Sequence, residues 1–152
     1  KGAMGIMLNV PLDLDVCQLL TQMKMENASF SLSGKSVFSG GPVSTDRGFV
    51  LHTPMDGFHA SLSLTDELMM TTSLDILSTL GTSAEPKQYM IALGYAGWEK
   101  GQLEEEIREN TWLTVPASPD IIFDIPYEDR WLAASKSLGI DIWQLSPQAG
   151  HA

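Results

Sequence analysis

Two adjacent glycines, Gly40 and Gly41, stand directly before Pro42, and Arg47 follows a few residues on. Glycine lacks a Cβ and reaches left-handed φ, so such a turn can bring backbone N–H groups close to a ligand. Successive N–H groups there can cradle an anion, and Arg47 would add a planar fork of donors. The same residues also make an ordinary structural turn, with Arg47 paired to Asp46 or another carboxylate. Downstream, Gly94-Tyr95-Ala96-Gly97-Trp98 is an aromatic segment punctuated by glycine. Tyr95 and Trp98 are either a stacking wall for a ring or a partner, or amphipathic aromatics packed in the core. Taken together, Gly40, Gly41, Arg47, His52, Tyr95 and Trp98 outline one polar, ligand-binding pocket of the shape that holds small molecules. If that cavity were catalytic, His52 or Glu106 would supply the acid or base. Thr71-Thr72-Ser73 is a helix cap or, in the alternative, a seat for an anion at a helix start.

Other chemistries find no support. Gly34-Lys35-Ser36 looks like the end of a phosphate-binding loop, but Ser29 stands where its first glycine is required. No G-x-S-x-G elbow occurs. Gly94, Gly97 and Gly101 are wrongly spaced for a dinucleotide fingerprint. His52 and His59 fall on separate predicted strands and His151 lies in the tail, so no metal site is expected. No cofactor is called for either. The run Glu104-Glu105-Glu106 suits a solvated helix face. The one cysteine, Cys17, rules out an internal disulfide and a cysteine zinc cluster and suits a reducing, cytoplasmic setting. Asn27-Ala28-Ser29 is a glycosylation sequon that matters only in a secreted protein.

Charge narrows the partners. The 152 residues carry 9 Lys plus Arg against 19 Asp plus Glu, a net charge of -10. Duplex binding needs basic groups that release counterions from phosphates, so nucleic acid is not an expected partner. Anionic membrane surfaces are disfavoured for the same reason. No apolar run reaches the roughly 18 to 20 residues that span a bilayer, and the N-terminus lacks a signal-peptide pattern. The chain begins Lys1-Gly2-Ala3, as a fragment or processed form would.

The elements that must position these residues follow from periodicity. Ala3 to Val10 is a short apolar run predicted as a buried strand ended by Pro11. Val16, Leu19, Leu20 and Met23 make one helical stripe, with Asp15 and Gln18 as a capping box. Cys17 flanks that stripe and is expected to be buried and inert. Residues 27–36 suit a surface loop, and residues 39–43 a tight turn. Strands are predicted over 48–51, over 58–65 by strict alternation, and over 67–70. A helix over 72–80 is expected to be capped by Thr72 or Ser73, with Asp75 in a second capping box and Gly81 at its end. Tyr89 to Leu93 does not alternate, which predicts a strand buried on both faces. A loop over 94–98 and a helix over 101–110 follow, the helix carrying a Glu104–Arg108 pair. A strand over 112–115, a short buried piece at 121–123, and a last helix follow. Tyr127, Trp131, Ala134 and Leu138 face inward on that helix, and Gly139 closes it. A loose tail begins after Gln144. Strands and helices mix without strict alternation, which favours an α+β domain.

Several of these segments together resemble the signature of the bacterial YqgE/AlgH family. They are Gly40-Gly41-Pro42-Val43, Arg47-Gly48-Phe49-Val50-Leu51-His52, Thr71-Thr72-Ser73 and Leu93-Gly94-Tyr95-Ala96-Gly97-Trp98. Gly101-Gln102-Leu103-Glu104 with Glu106, Asn110-Thr111-Trp112-Leu113 and Ala149-Gly150-His151-Ala152 continue the match to the end of the chain. The resemblance implies one α+β domain over residues 1–152, with a bent, partly barrel-like mixed sheet flanked by helices. It also implies that the family's N-terminal segment is absent here. A strand edge would then be uncovered, through which the chain is expected to self-associate. Val10 stands where the family often has a basic residue. The resemblance names no activity. The function expected is that of a cytosolic, non-catalytic binding or adaptor module for a protein partner or a small anionic ligand. The alternatives are an enzyme acting on a phosphorylated or other anionic small molecule and, against the charge, a transcriptional regulator.

Overall fold

The computed structural model describes residues 1–139. Their architecture is one open mixed sheet flanked by helices, an α+β fold. The strands are β1 (Ala3–Gly5), β2 (Pro11–Asp15), β3 (Ser36–Ser39), β4 (Val43–His52), β5 (Ser61–Thr65), β6 (Leu68–Thr71) and β7 (Tyr89–Trp98). The sheet runs β2-β3-β7-β4-β6-β5, and β1 joins the C-terminal end of β7. β3 lies parallel to β7, and every other pair is antiparallel. Helices α1 (Val16–Gln22), α2 (Gln102–Arg108) and α3 (Arg130–Ser137) complete the frame.

β7 is the central strand, and its composition follows from that position. Ile91 packs into one core cluster with Val16, Leu20, Val37 and Val50. Its neighbours Met90 and Ala92 pack into a second cluster with Phe38, Leu51 and Leu68. Successive side chains on a strand face opposite ways. The unbroken run Met90-Ile91-Ala92 therefore fills both faces, as its lack of alternation predicts. Each such fully buried aliphatic side chain contributes about 1.5 to 3 kcal/mol relative to exposure.

α1 forms as expected. The Asp15 carboxylate accepts from the Gln18 amide at 2.8 Å, and the Gln18 side chain accepts from the Asp15 amide at 2.9 Å. Cys17 is only partly buried but packs against the first cluster. In the native protein its thiol should react with Ellman's reagent roughly tenfold or more slowly than in urea. Rapid native labelling would show that the sulfur faces solvent.

Elsewhere the chain departs from the periodicity. The expected strand over Ala3–Val10 stops at Gly5, and Pro11 opens β2 instead of ending a strand. That is allowed because β2 is an edge strand and its first residue needs no ladder N–H. The expected loop over 94–98 is the second half of β7. The alternating segment from Phe58 supports a strand only over Ser61–Thr65, and all five of its residues are exposed. This is the far edge of the sheet, where none of the described residues covers the apolar positions, so Leu62 and Leu64 remain 58% and 45% exposed. The segment after Ser73 is a 3-10 turn, Leu74–Thr79, with no side-chain cap. The Ser73 hydroxyl instead donates to Asp75 and accepts from the Ala60 amide. Arg108 pairs with Glu105, one residue nearer than the expected Glu104. Trp112–Val115 is irregular, because Trp112 packs edge-on against Trp98 instead of joining the sheet. Residues Asp120–Asp124 form a single π-helical turn that buries Ile122. The last helical face breaks into a 3-10 turn, Tyr127–Asp129, followed by α3, with Gly139 at φ 72° beyond it. The expected tail after Gln144, and His151, lie outside the described residues.

Candidate functional site

The glycine turn is filled by backbone. The Gly40 amide donates to the Leu93 carbonyl, and the Gly40 carbonyl accepts from Met7, both at 2.8 Å. A Cβ on Gly40 would lie 2.2 Å from the Gly94 carbonyl oxygen, and one on Gly41 would lie 2.2 Å from the Tyr95 carbonyl carbon. The two glycines let this connection press onto β7, and the Gly40 N–H is not free to cradle an anion. Arg47 is exposed, with its guanidinium carbon 5.4 Å from the centre of the Phe49 ring. Phe49 in turn meets Tyr95 edge-on at 5.9 Å. The structure thus links Arg47 to Tyr95 through Phe49, and among the described residues no carboxylate pairs with Arg47.

Trp98 goes elsewhere. It lines an apolar cavity of about 340 Å³ with Ile6, Leu8, Trp112 and Trp131, to which Tyr95 does not contribute. Residues 95 and 98 sit an odd number apart on β7, so they project to opposite faces. One cavity holding both, as expected from a loop, is therefore replaced by two separate environments.

The two acid–base candidates also separate. His52 is 0% exposed. Its Nδ1 lies 2.8 Å from the Thr53 carbonyl and its Nε2 2.7 Å from the Thr71 hydroxyl. Burial holds its pKa below the usual histidine value, and the Thr53 carbonyl partly opposes this. Glu106 sits under Trp112, whose indole N–H donates to Oε1 at 3.4 Å. Its other oxygen is buried without a partner among the described residues.

A further concavity lies at the opposite end of β7. A cleft of about 660 Å³ is walled by Lys35, Phe38, Lys87, Tyr89, Tyr127 and Arg130, among others. The Tyr89 hydroxyl is buried there and has no hydrogen-bond partner among the described residues. Burial, reinforced by the negative charge of Glu85, pushes its pKa up to about 12. Lys35 Nζ sits 5.3 Å from the centre of the Tyr89 ring. Arg130 donates to the Ile125 carbonyl at 3.0 Å and to the Leu8 carbonyl, and covers the Phe38 ring at 5.0 Å. Burial lowers its pKa. Glu85 and Asp124 also line the cleft, and Asp124 accepts from the Gln88 side chain.

Three cations therefore face two carboxylates in a chain of net charge -10. The cleft combines aromatic walls and positive charge, which together can hold a planar or apolar group carrying an anion. Sequence reasoning missed it. Lys35 drew notice only as part of a failed phosphate-loop match, Tyr89 only as a strand residue, and Arg130 not at all. Their separation along the chain leaves no local signal, and only the adjacency of β3, β7 and α3 assembles them. Among the described residues no group of three or more acidic, histidine or cysteine side chains is placed to hold a metal, and no helix is long and apolar enough to cross a membrane.

Comparisons with known proteins agree on the lineage. A sequence model described as AlgH-like matches residues 1–143. A UPF0301 protein of Shewanella woodyi is 54% identical over 154 residues, spanning 100% of this chain and 83% of that protein. A UPF0301 protein of Idiomarina loihiensis is 51% identical over 155 residues, with the same coverage of 100% and 83%. The solution structure of the AlgH protein from Pseudomonas aeruginosa matches with a TM-score of 0.79 and 44% identity, over 100% of this chain and 80% of that one. A crystal structure of a Corynebacterium diphtheriae protein matches with a TM-score of 0.64 at 18% identity, over 97% of this chain and 73% of the other, and shares the fold alone.

Proposed function

Because the chain belongs to the AlgH-like family and places three of its nine Lys and Arg residues around one cleft, we propose that it is a non-catalytic binding module for a small anionic ligand. The ligand sits between Lys35, Lys87, Tyr89 and Arg130, with its apolar part against Phe38 and Tyr127. The observation that carries this reading is the convergence of Lys35, Lys87 and Arg130 on one cleft walled by Phe38, Tyr89 and Tyr127, in a chain of net charge -10.

The enzyme alternative has less behind it. A general acid or base must reach the reacting group, and His52 does not line the cleft in which the anion is held. A nucleic-acid regulator remains at odds with the net charge of -10.

The test is calorimetric titration with inorganic phosphate, phenyl phosphate and benzoate. Phenyl phosphate should bind more tightly than phosphate, because only it uses the aromatic walls. Lys35→Ala and Lys87→Ala should each weaken it about twofold to fivefold, the modest loss expected of solvent-exposed cations. Tyr89→Phe should leave the free protein equally or more stable, since the variant deletes an unsatisfied group. Binding of none of the three anions, or affinity untouched by these substitutions, would sink the assignment.

A further inference from the structure

A second chemical feature lies across β4, β6 and β5, built from residues the cleft does not use. His52 ends β4, Thr71 ends β6, and Ser61 opens β5 opposite Thr71. His52 Nε2 is 2.7 Å from Thr71 Oγ1, and Thr71 Oγ1 is 2.6 Å from Ser61 Oγ. His52 and Thr71 are 0% exposed, whereas Ser61 is exposed.

The direction of every proton in this chain follows from valence. The Thr53 carbonyl can only accept, so His52 Nδ1 carries a proton. Burial disfavours a charged ring, so Nε2 is a bare lone pair that accepts from the Thr71 hydroxyl. Thr71 has one proton and has given it to the histidine, so its oxygen accepts from Ser61. The Ser61 proton therefore points inward, and its lone pairs face solvent. An orienting acceptor, an imidazole and a hydroxyl are the parts of an activated serine nucleophile, here with one threonine hydroxyl interposed.

We propose that Ser61 is a nucleophilic modification site for activated acyl or phosphonyl donors, with Thr71 passing its proton to His52. With a fluorophosphonate, Ser61 Oγ forms a bond to phosphorus and the P–F bond breaks, so fluoride leaves with the electron pair. The Ser61 proton moves to Thr71 as the Thr71 proton moves to His52 Nε2. The phosphonylated Ser61 oxygen can no longer carry a proton, so the adduct forms with that proton on the His52 imidazolium, whose charge balances the released fluoride. An imidazolium in this buried position is disfavoured, so the site suits donors whose leaving group departs without a proton, and amides fall outside its range.

The experiment treats the full chain with a fluorophosphonate probe and maps adducts by peptide mass. Ser63 is an internal control, because it is exposed, two residues along β5, and outside the relay. Ser61 should label at least about tenfold faster than Ser63, within the range a positioned base supplies. Thr71→Val, which keeps the shape but cuts the relay, should reduce Ser61 labelling by a similar factor, and Thr71→Ser should restore it. No adduct, an adduct at the exposed His59 instead, or equal labelling of Ser61 and Ser63 would overturn the proposal. Unchanged labelling in folded Thr71→Val would do the same.

Discussion

Replacing Gly94 with alanine should destabilise the protein by about 3 kcal/mol or more, among the largest effects of any single substitution. Two causes add. Gly94 has φ 81°, a conformation that costs an L-residue about 1 to 2 kcal/mol. Its new Cβ would also sit 2.5 Å from the Gly41 carbonyl oxygen and 3.1 Å from that of Val43. Those atoms belong to the connection leading into β4 and to β4 itself, so relief requires moving backbone of the strand paired with β7. Gly40→Ala should act through the same contact from the other side, since its Cβ would meet the Gly94 carbonyl at 2.2 Å. For a domain of this size the melting temperature should fall by roughly 6 to 12 °C. Gly34→Ala separates the causes, because Gly34 has φ 83° but no atom within 4 Å of its added Cβ. It should cost only the conformational part. Urea melts of the three variants measure this, and equal losses in all three would refute the steric argument.

Acidification should weaken the fold in a step that belongs to His52. In the unfolded chain the ring takes up its proton near pH 6.5, while in the native core burial holds the pKa lower. The unfolded state therefore binds more protons as pH falls through this range, and stability falls with pH. The contribution is fully present above about pH 6.5 and is lost toward the native-state pKa, with a slope no steeper than about 1.4 kcal/mol per pH unit for one proton. Asp15 and Asp75 lose their contributions in a separate window. The Gln18 amide chiefly lowers the pKa of the first and the Ser73 hydroxyl that of the second, both from 3.8, so their loss begins only as pH falls below that value. Urea midpoints at several pH values between 7.5 and 5 measure the step. His52→Gln, less stable at neutral pH, should show a flatter profile. An unchanged wild-type midpoint across that range, or an identical slope in the variant, would show that His52 does not carry it.

Features written in short spans of sequence were legible. The Asp15–Gln18 capping box is one, because both of its hydrogen bonds close within a single turn. The two-faced burial of Met90 and Ile91 is another, and the left-handed Gly139 a third. Segments whose state depends on a distant partner were not legible. Alternation at Leu62 and Leu64 promised a half-buried strand, but β5 lies at the sheet edge and none of the described residues covers it. Apolar residues at 112–115 promised a strand, yet Trp112 found a better partner in Trp98 than in a ladder. The glycines at 40, 41 and 94 were conspicuous, but backbone contacts take the space a ligand was expected to use.

The sequence by itself determined the family resemblance, the α+β class, the acidic character and the locally capped first helix. These depend on composition, on residue patterns and on interactions between near neighbours in the chain. Only the tertiary structure decided that Lys35, Tyr89 and Arg130 share a cleft, that Tyr95 and Trp98 part company, and that His52, Thr71 and Ser61 form one line of hydrogen bonds. Those groupings follow from the strand order β2-β3-β7-β4-β6-β5. That order is set by burying both faces of β7 at once, and the packing of the whole chain, not a local pattern, determines it.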